Sequence, residues 1–348
     1  MKTLFPFLAL AVAATAAATA SVSTAAADGR VVGATTLEFH NQASSRKIAT
    51  ELWYAPSGNP KAEDLSIRPP LRPIAVARNA EPASGKRPLI VLSHGNWGSR
   101  YSLGWLALKL VNSGYIVLST SHPGTAGGDQ SAAGLYRLWD RSRDVSFVLD
   151  QILNDPKWVA LIDEKRIGFA GHSFGGFTGV SLAGGRYDPA RQRGFCERSA
   201  KKDFYCEGTL RDNIAGIPAT DAGESFRDAR LRAFYIMASG PAPGFAADSL
   251  KAISAPFIVD TAQFDEILEP LANSSALAKL ISGAREVVRP VGHFAYVPEC
   301  RPVVGRILAA AAGIPICDDP AGVDRAAVHN QIADEVIRFF GKALQSRD

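Results

Sequence analysis

Apolar positions along the chain fall into short, nearly unbroken runs separated by stretches of helical periodicity. PLIVLSH (88–94) and YIVLSTS (115–121) show almost no polar alternation, the pattern of strands covered on both faces of a parallel sheet. RIGFAG (166–171), LRAFYIMAS (231–239), APFIVDT (255–261) and REVVRPV (285–291) read as four further strands. Between them, SLGWLALKLVNSG (102–114) ends at Gly114, and DRSRDVSFVLDQIL (140–153) places Val145, Val148, Leu149 and Ile152 on one helical stripe. Helices are also predicted from FGGFTGVSLAG after residue 173, near 271–282 and over 324–344. Upstream, ATTLEFHN (34–41) and KIATELWY (47–54) alternate well enough to predict an antiparallel pair. The segment 56–87, rich in Pro, Ala and charge, predicts a surface excursion. Residues 184–230 fit no strand–helix unit and predict either a lid over the strand ends or a disulfide-tied surface insertion.

About eight strands alternating with helices predict an α/β fold, a mostly parallel sheet with helices on both faces. Sites in such sheets form beyond the carboxyl ends of the strands, so the polar residues just after each strand carry the chemical question.

The first 27 residues do not follow this alternation. They combine Lys2, an apolar Ala-rich stretch and small residues ending at Ala25-Ala26-Ala27, the layout of a secretory signal peptide. Cleavage is expected after Ala27, with Ala18-Thr19-Ala20 as a second boundary, which leaves 28–348 as a single domain in the periplasm or outside the cell. No later apolar span is long enough for a stable membrane anchor. A formal charge of +4 without a basic run gives nucleic acid little support as a partner. Four cysteines in an exported chain favour disulfides, and the sequence-local pairing Cys196–Cys206 with Cys300–Cys317 is the preferred connectivity of three. No Cys/His spacing, HExxH, P-loop or GxGxxG appears, so neither a metal nor an organic cofactor is expected.

Gly171-His172-Ser173-Phe174-Gly175 fits G-x-S-x-G between a predicted strand and a predicted helix. A serine on such a sharp turn projects its hydroxyl above the sheet, and neighbouring side chains would clash there. A hydroxyl needs a base, and the base an orienting acid, in the chain order Ser, Asp or Glu, His. His293, in RPVGHFAY after the last strand, is the candidate base. Asp265, a few residues past APFIVDT, is the candidate acid, with Asp260 the lesser alternative and Glu266 and Glu269 expected in solvent. Amides of Phe174 and of Asn96, in the His94-Gly95-Asn96 loop, are candidate donors to an oxyanion. Trp97 and His122 border the predicted site, as pocket residues or as ordinary packed and hydrogen-bonded groups. Arg143 and Asp144 read as an ion pair on the surface or between elements.

Taken together, ELWYAP (51–56), PLIVLSHGNWGSRYS (88–102), GYIVLSTSHPG (114–124), RDVSFVLDQIL (143–153), RIGFAGHSFGGFT (166–178) and VGHFAYVPEC (291–300) resemble the α/β-hydrolase superfamily. Within it they look like the branch of the platelet-activating-factor acetylhydrolases and the predicted dienelactone hydrolases. The resemblance implies a cofactor-free serine hydrolase acting on a small-molecule ester, with Ser173 as nucleophile, His293 as base and the amides of Asn96 and Phe174 as oxyanion donors. Two positions depart from the pattern. Dienelactone hydrolases carry a cysteine where this chain has Ser173, and the acetylhydrolase acid follows the sixth strand, where IMASGPAPGF (236–245) has no carboxylate. The expectation is an exported carboxylic-ester hydrolase. Phospholipid, polyester or lactone hydrolysis on the same fold is the alternative reaction, and an inactive hydrolase fold used for binding is the alternative of another class.

Overall fold

The computed structural model describes residues 30–65, 69–199, 205–207, 219–311, 313 and 315–345. The predicted signal peptide lies outside the described residues, as does part of 184–230.

Eight strands form where the apolar runs predict them. They are β1 (Gly33–Asn41) and β2 (Arg46–Tyr54), with two more, β3 (Glu63–Leu65) and β4 (Ile74–Arg78), inserted before the next predicted run. β5 (Arg87–Ser93) and β6 (Ile116–Thr120) follow, then a two-residue ribbon of β7 (Thr125–Ala126) and β8 (Asp129–Gln130). The last four are β9 (Ile162–His172), β10 (Leu231–Met237), β11 (Phe257–Ala262) and β12 (Arg285–Arg289). Ten of these make one sheet in the order β12-β11-β10-β9-β5-β6-β2-β1-β4-β3. The stretch from β12 to β6 is parallel, while β2 runs antiparallel to β6 and to β1.

The segment 56–87 is therefore more than a surface excursion. Ile74 and Val76 bury their side chains, and β4 extends the sheet by pairing with β1. A five-residue strand among prolines is too short for its alternation to stand out, and the open edge of β1 decides its conformation.

Period-two alternation explains the two cores. Leu89, Val91, Ile116, Leu118, Phe169, Phe234 and Val259 point to one face, where Val145, Val148 and Leu149 of helix Asp140–Asn154 and Phe177 and Val180 of helix Phe174–Ala183 cover them. Ile90, Leu92, Val117, Tyr235 and Ile258 point to the other, against Leu106 and Leu110 of helix Gly104–Asn112 and Ile332, Val336 and Phe340 of helix Arg325–Ala343. The layers are helix, sheet, helix.

β5 has β6 on one side and β9 on the other, so the order of the chain reverses there. The crevice at such a switch point opens at the carboxyl ends of the strands, here just past Ser93 and His172.

Within 184–230, Asp188 caps a helix over Pro189–Arg198, which composition alone did not indicate. Its Cys196 is disulfide-bonded to Cys206, and Cys300 to Cys317. Among the described residues no helix is long and apolar enough to cross a membrane.

Candidate active site

β9 ends at His172 and the helix begins at Phe174, leaving one residue to turn the chain. Ser173 makes that turn at φ 57 and ψ −117, a left-handed conformation that costs a non-glycine residue about 1–3 kcal/mol. The strain is held by neighbours on both sides: the Ser173 amide donates to the Met237 carbonyl at 2.9 Å, and the first helical turn closes on the Ser173 carbonyl. Gly175 is required because a Cβ there would collide with the Ser93 carbonyl at the end of β5. Gly95 likewise brings its loop close, its hypothetical Cβ lying 3.0 Å from the Ser173 Cβ.

Two other strand ends deliver the partners. The His293 side chain, on the 3-10 turn His293–Tyr296 past β12, places Nε2 3.0 Å from Ser173 Oγ. Its Nδ1 lies 2.8 Å from Asp265 Oδ2, three residues past β11. Asp265 is itself fixed, since its Oδ1 accepts the amides of Ile267 and Leu268 at 2.9 and 2.8 Å. His293 and Asp265 side chains are only 4% and 3% exposed, so water competes little for this chain of hydrogen bonds. The arrangement can pass a proton from hydroxyl to imidazole and hold the resulting cation against a carboxylate.

The Asn96 and Phe174 residues border the same place from two directions. Phe174 opens its helix, so its amide has no acceptor inside the helix, and the positive end of the helix dipole points the same way. Asn96 follows Gly95, and its side-chain oxygen accepts the Trp97 amide and Gln130 Nε2. Trp97 has φ 61 and is 58% exposed, so it stands free at the rim. His122 takes the second of its two expected roles, a hydrogen-bonded group: it is buried with no exposed surface, between Ser93 Oγ at 2.9 Å and Asp144 Oδ2 at 3.1 Å. A polar residue just past a strand can turn into the protein as well as over the sheet. Arg143 and Asp144 are not a pair with each other: Arg143 meets Asp140 and Asp221 near the surface, whereas Asp144 is buried against Arg46 and His122.

Asp260 lies inside β11, where it accepts Tyr235 Oη, Tyr296 Oη and Arg289 Nε, while the two imidazole nitrogens of His293 meet Asp265 and Ser173. Glu266, expected in solvent, keeps an exposed side chain yet accepts the His293 amide at 2.9 Å. The turn bearing His293 is gripped from below as well. His172 Nε2, His329 Nε2 and Trp105 Nε1 donate to the carbonyls of His293, Ala295 and Tyr296 at 3.0, 3.0 and 2.9 Å. No motif announces these three contacts, because each joins residues far apart in the chain.

His94, His122, His172 and His329 are all buried here, and desolvation lowers each pKa, for His329 to about 3 and for the others well below the ordinary value. Arg141 pushes His94 and His122 further the same way. Above the unfolded value of 6.5 neither state binds a proton at these rings. Below it the unfolded chain takes up protons first, so stability falls as the pH drops from there toward the folded values. Each ring contributes a slope of about 1.4 kcal/mol per pH unit in that window. Thermal melts at pH 7 and pH 5 should therefore show a lower Tm at pH 5, with a shallower fall in His329→Gln; an unchanged Tm would contradict the buried neutral histidines.

The described residues contain no cluster of His, Cys, Asp and Glu able to hold a metal ion. A family model described as the alpha/beta hydrolase family matches residues 90–337. Among solved structures, a ferulic acid esterase from Streptomyces cinnamoneus aligns with a TM-score of 0.60 and 21% identity, over 93% of this chain and 93% of that chain, a likeness of fold. No curated protein sequence matches the chain.

Proposed function

The chain belongs to the alpha/beta hydrolase family, and from that premise we propose that it hydrolyses carboxylic esters through Ser173, His293 and Asp265. Ser173 Oγ attacks the ester carbonyl carbon while His293 Nε2 takes the hydroxyl proton. Asp265 holds the imidazole with Nδ1 protonated and faces the cation that forms. The amides of Asn96 and Phe174 receive the tetrahedral oxyanion. Collapse expels the alcohol, which leaves with the proton from His293. Water activated by the same ring then releases the acid from the acyl-enzyme. The observation that carries this reading is the unbroken chain from Ser173 Oγ through His293 to Asp265, at 3.0 and 2.8 Å, built on a strained left-handed serine.

The small-residue loops and the exposed Trp97 favour short-chain or aromatic acyl groups over long lipid chains. The structural neighbour, a ferulic acid esterase, points toward the aromatic side of that range. The described residues of 184–230 fit a cap on the same domain: Cys206 is bonded to Cys196, and the adjacent Tyr205 packs edge-on against Phe174 at 6.0 Å. Two disulfides fit an exported protein.

A panel of p-nitrophenyl esters from acetate to palmitate, with methyl hydroxycinnamates, tests the reading. Turnover of acetate, butyrate or hydroxycinnamate esters at least tenfold above that of palmitate is expected. Preference for palmitate would overturn the substrate class, and no turnover of any ester would overturn the activity.

A further inference from the structure

Arg141 is the second residue of helix Asp140–Asn154 and is 1% exposed. A buried guanidinium is expensive unless every donor is used, and here the donors reach three separate elements. Nη2 donates to the carbonyl of His94, by a short hydrogen bond, and to Ser93 Oγ at 3.2 Å. Nη1 donates to Thr125 Oγ1 at 2.5 Å, and Nε to Thr178 Oγ1 at 3.0 Å.

Three of these four acceptors lead toward Ser173. The His94 carbonyl belongs to the peptide that joins His94 to Gly95, so holding it sets the plane from which the chain reaches the Asn96 amide. Thr178 Oγ1 donates onward to the Phe174 carbonyl at 2.9 Å, within the first turn of the helix. The Thr125 carbonyl accepts the Trp97 amide at 3.0 Å, securing the far end of the same loop. One rigid fork thus spans the loop and the helix that carry the two proposed oxyanion donors.

The charge is also directed. All four hydrogen-bond acceptors of Arg141 are neutral oxygens, while the nearby carboxylate of Asp144 is taken by Arg46 and His122. Asp144 offsets part of the Arg141 charge through space, and the rest acts, in a desolvated setting, on an oxyanion forming beside Ser173. Desolvation lowers the guanidinium pKa to about 9, so it stays charged at neutral pH.

We propose that Arg141 is the positioning residue that aligns the Asn96 and Phe174 amides and biases the site toward the tetrahedral oxyanion. This rests on the esterase reading above.

The test compares wild type with Arg141→Met, Arg141→Lys and Thr178→Val on p-nitrophenyl acetate. It adds the affinities of a trifluoromethyl ketone, which forms a tetrahedral adduct, and of the corresponding methyl carboxamide, a ground-state analogue. Loss of an aligned oxyanion donor typically lowers kcat by about 100- to 1,000-fold. Arg141→Met should reach that range, with KM and carboxamide affinity within about threefold and ketone affinity weakened in parallel with kcat. Arg141→Lys should recover part of the loss, because it restores charge without the fork. Equal losses of ketone and carboxamide affinity would mean general distortion and overturn the proposal, as would a folded Arg141→Met with kcat within threefold of wild type. Where Arg141→Met does not fold, Thr178→Val decides: about a tenfold loss in kcat and ketone affinity supports the proposal, and no loss overturns it. A wild type that neither hydrolyses the ester nor binds the ketone would sink the esterase reading itself, and this inference with it.

Discussion

Ser173→Ala is expected to lower kcat on p-nitrophenyl acetate by roughly five to six orders of magnitude, to the residual rate given by binding and oxyanion stabilisation alone. The hydroxyl is the only part removed. Its 3.0 Å contact with His293 Nε2 is lost, but the turn at φ 57 is fixed by the Ser173 main chain, whose amide and carbonyl keep their partners. The Tm should stay within a few degrees of wild type. Steady-state assays beside thermal melts check both statements, and a folded variant with kcat within tenfold of wild type would remove Ser173 from the mechanism.

Asp265→Asn carries the second large effect, a loss of about 10,000-fold in kcat. The reason lies in the two oxygens of Asp265. Oδ1 accepts the Ile267 and Leu268 amides, so an asparagine keeps its oxygen there and turns its NH2 toward His293 Nδ1. The imidazole must then accept at Nδ1 and carry its proton on Nε2, facing Ser173 Oγ with a donor where a base is needed. Asp260→Asn acts differently, because its carboxylate serves Tyr235, Tyr296 and Arg289 within the sheet. It should lower Tm while leaving kcat of the folded protein within about tenfold. A reversal of the two variants' kcat effects would make Asp260 the orienting acid.

The contrast between these two aspartates shows what could be read from the sequence. Strand boundaries were legible because buried parallel strands are continuous apolar runs. Knowing where β11 ends separates a carboxylate inside the sheet from one on the loop beyond it. The placement of Ser173, His293 and Asp265 past three different strands follows from the same reasoning. β3 and β4 were not legible, since Pro-rich flanks hide two short strands, β4 whose partner is the distant β1 and β3 which pairs only with β4.

Charged residues that turn inward were the harder part. Arg141 lies on the buried stripe of its helix, at i, i+4, i+7 and i+11 with Val145, Val148 and Ile152. That position was the available signal, because a charge on the apolar face must find partners inside. Which partners it finds depends on β5, the loop at Thr125 and the helix after Ser173 meeting at one point. His122 stood between two readings, pocket residue or hydrogen-bonded group, for a related reason: position at a strand end does not say whether a ring faces the crevice or the interior, and the hydrogen-bonded one holds. The Glu266 contact with the His293 amide left no trace in spacing or composition.

The central claim, that Ser173 is an activated nucleophile, is tested most directly by exposing the folded protein to a fluorophosphonate probe and mapping the adduct by mass spectrometry. The account predicts one adduct per chain, on Ser173, formed far more slowly in His293→Ala and absent in Ser173→Ala. Folded protein that takes up no probe at Ser173, or takes it up at the same rate without His293, would contradict it.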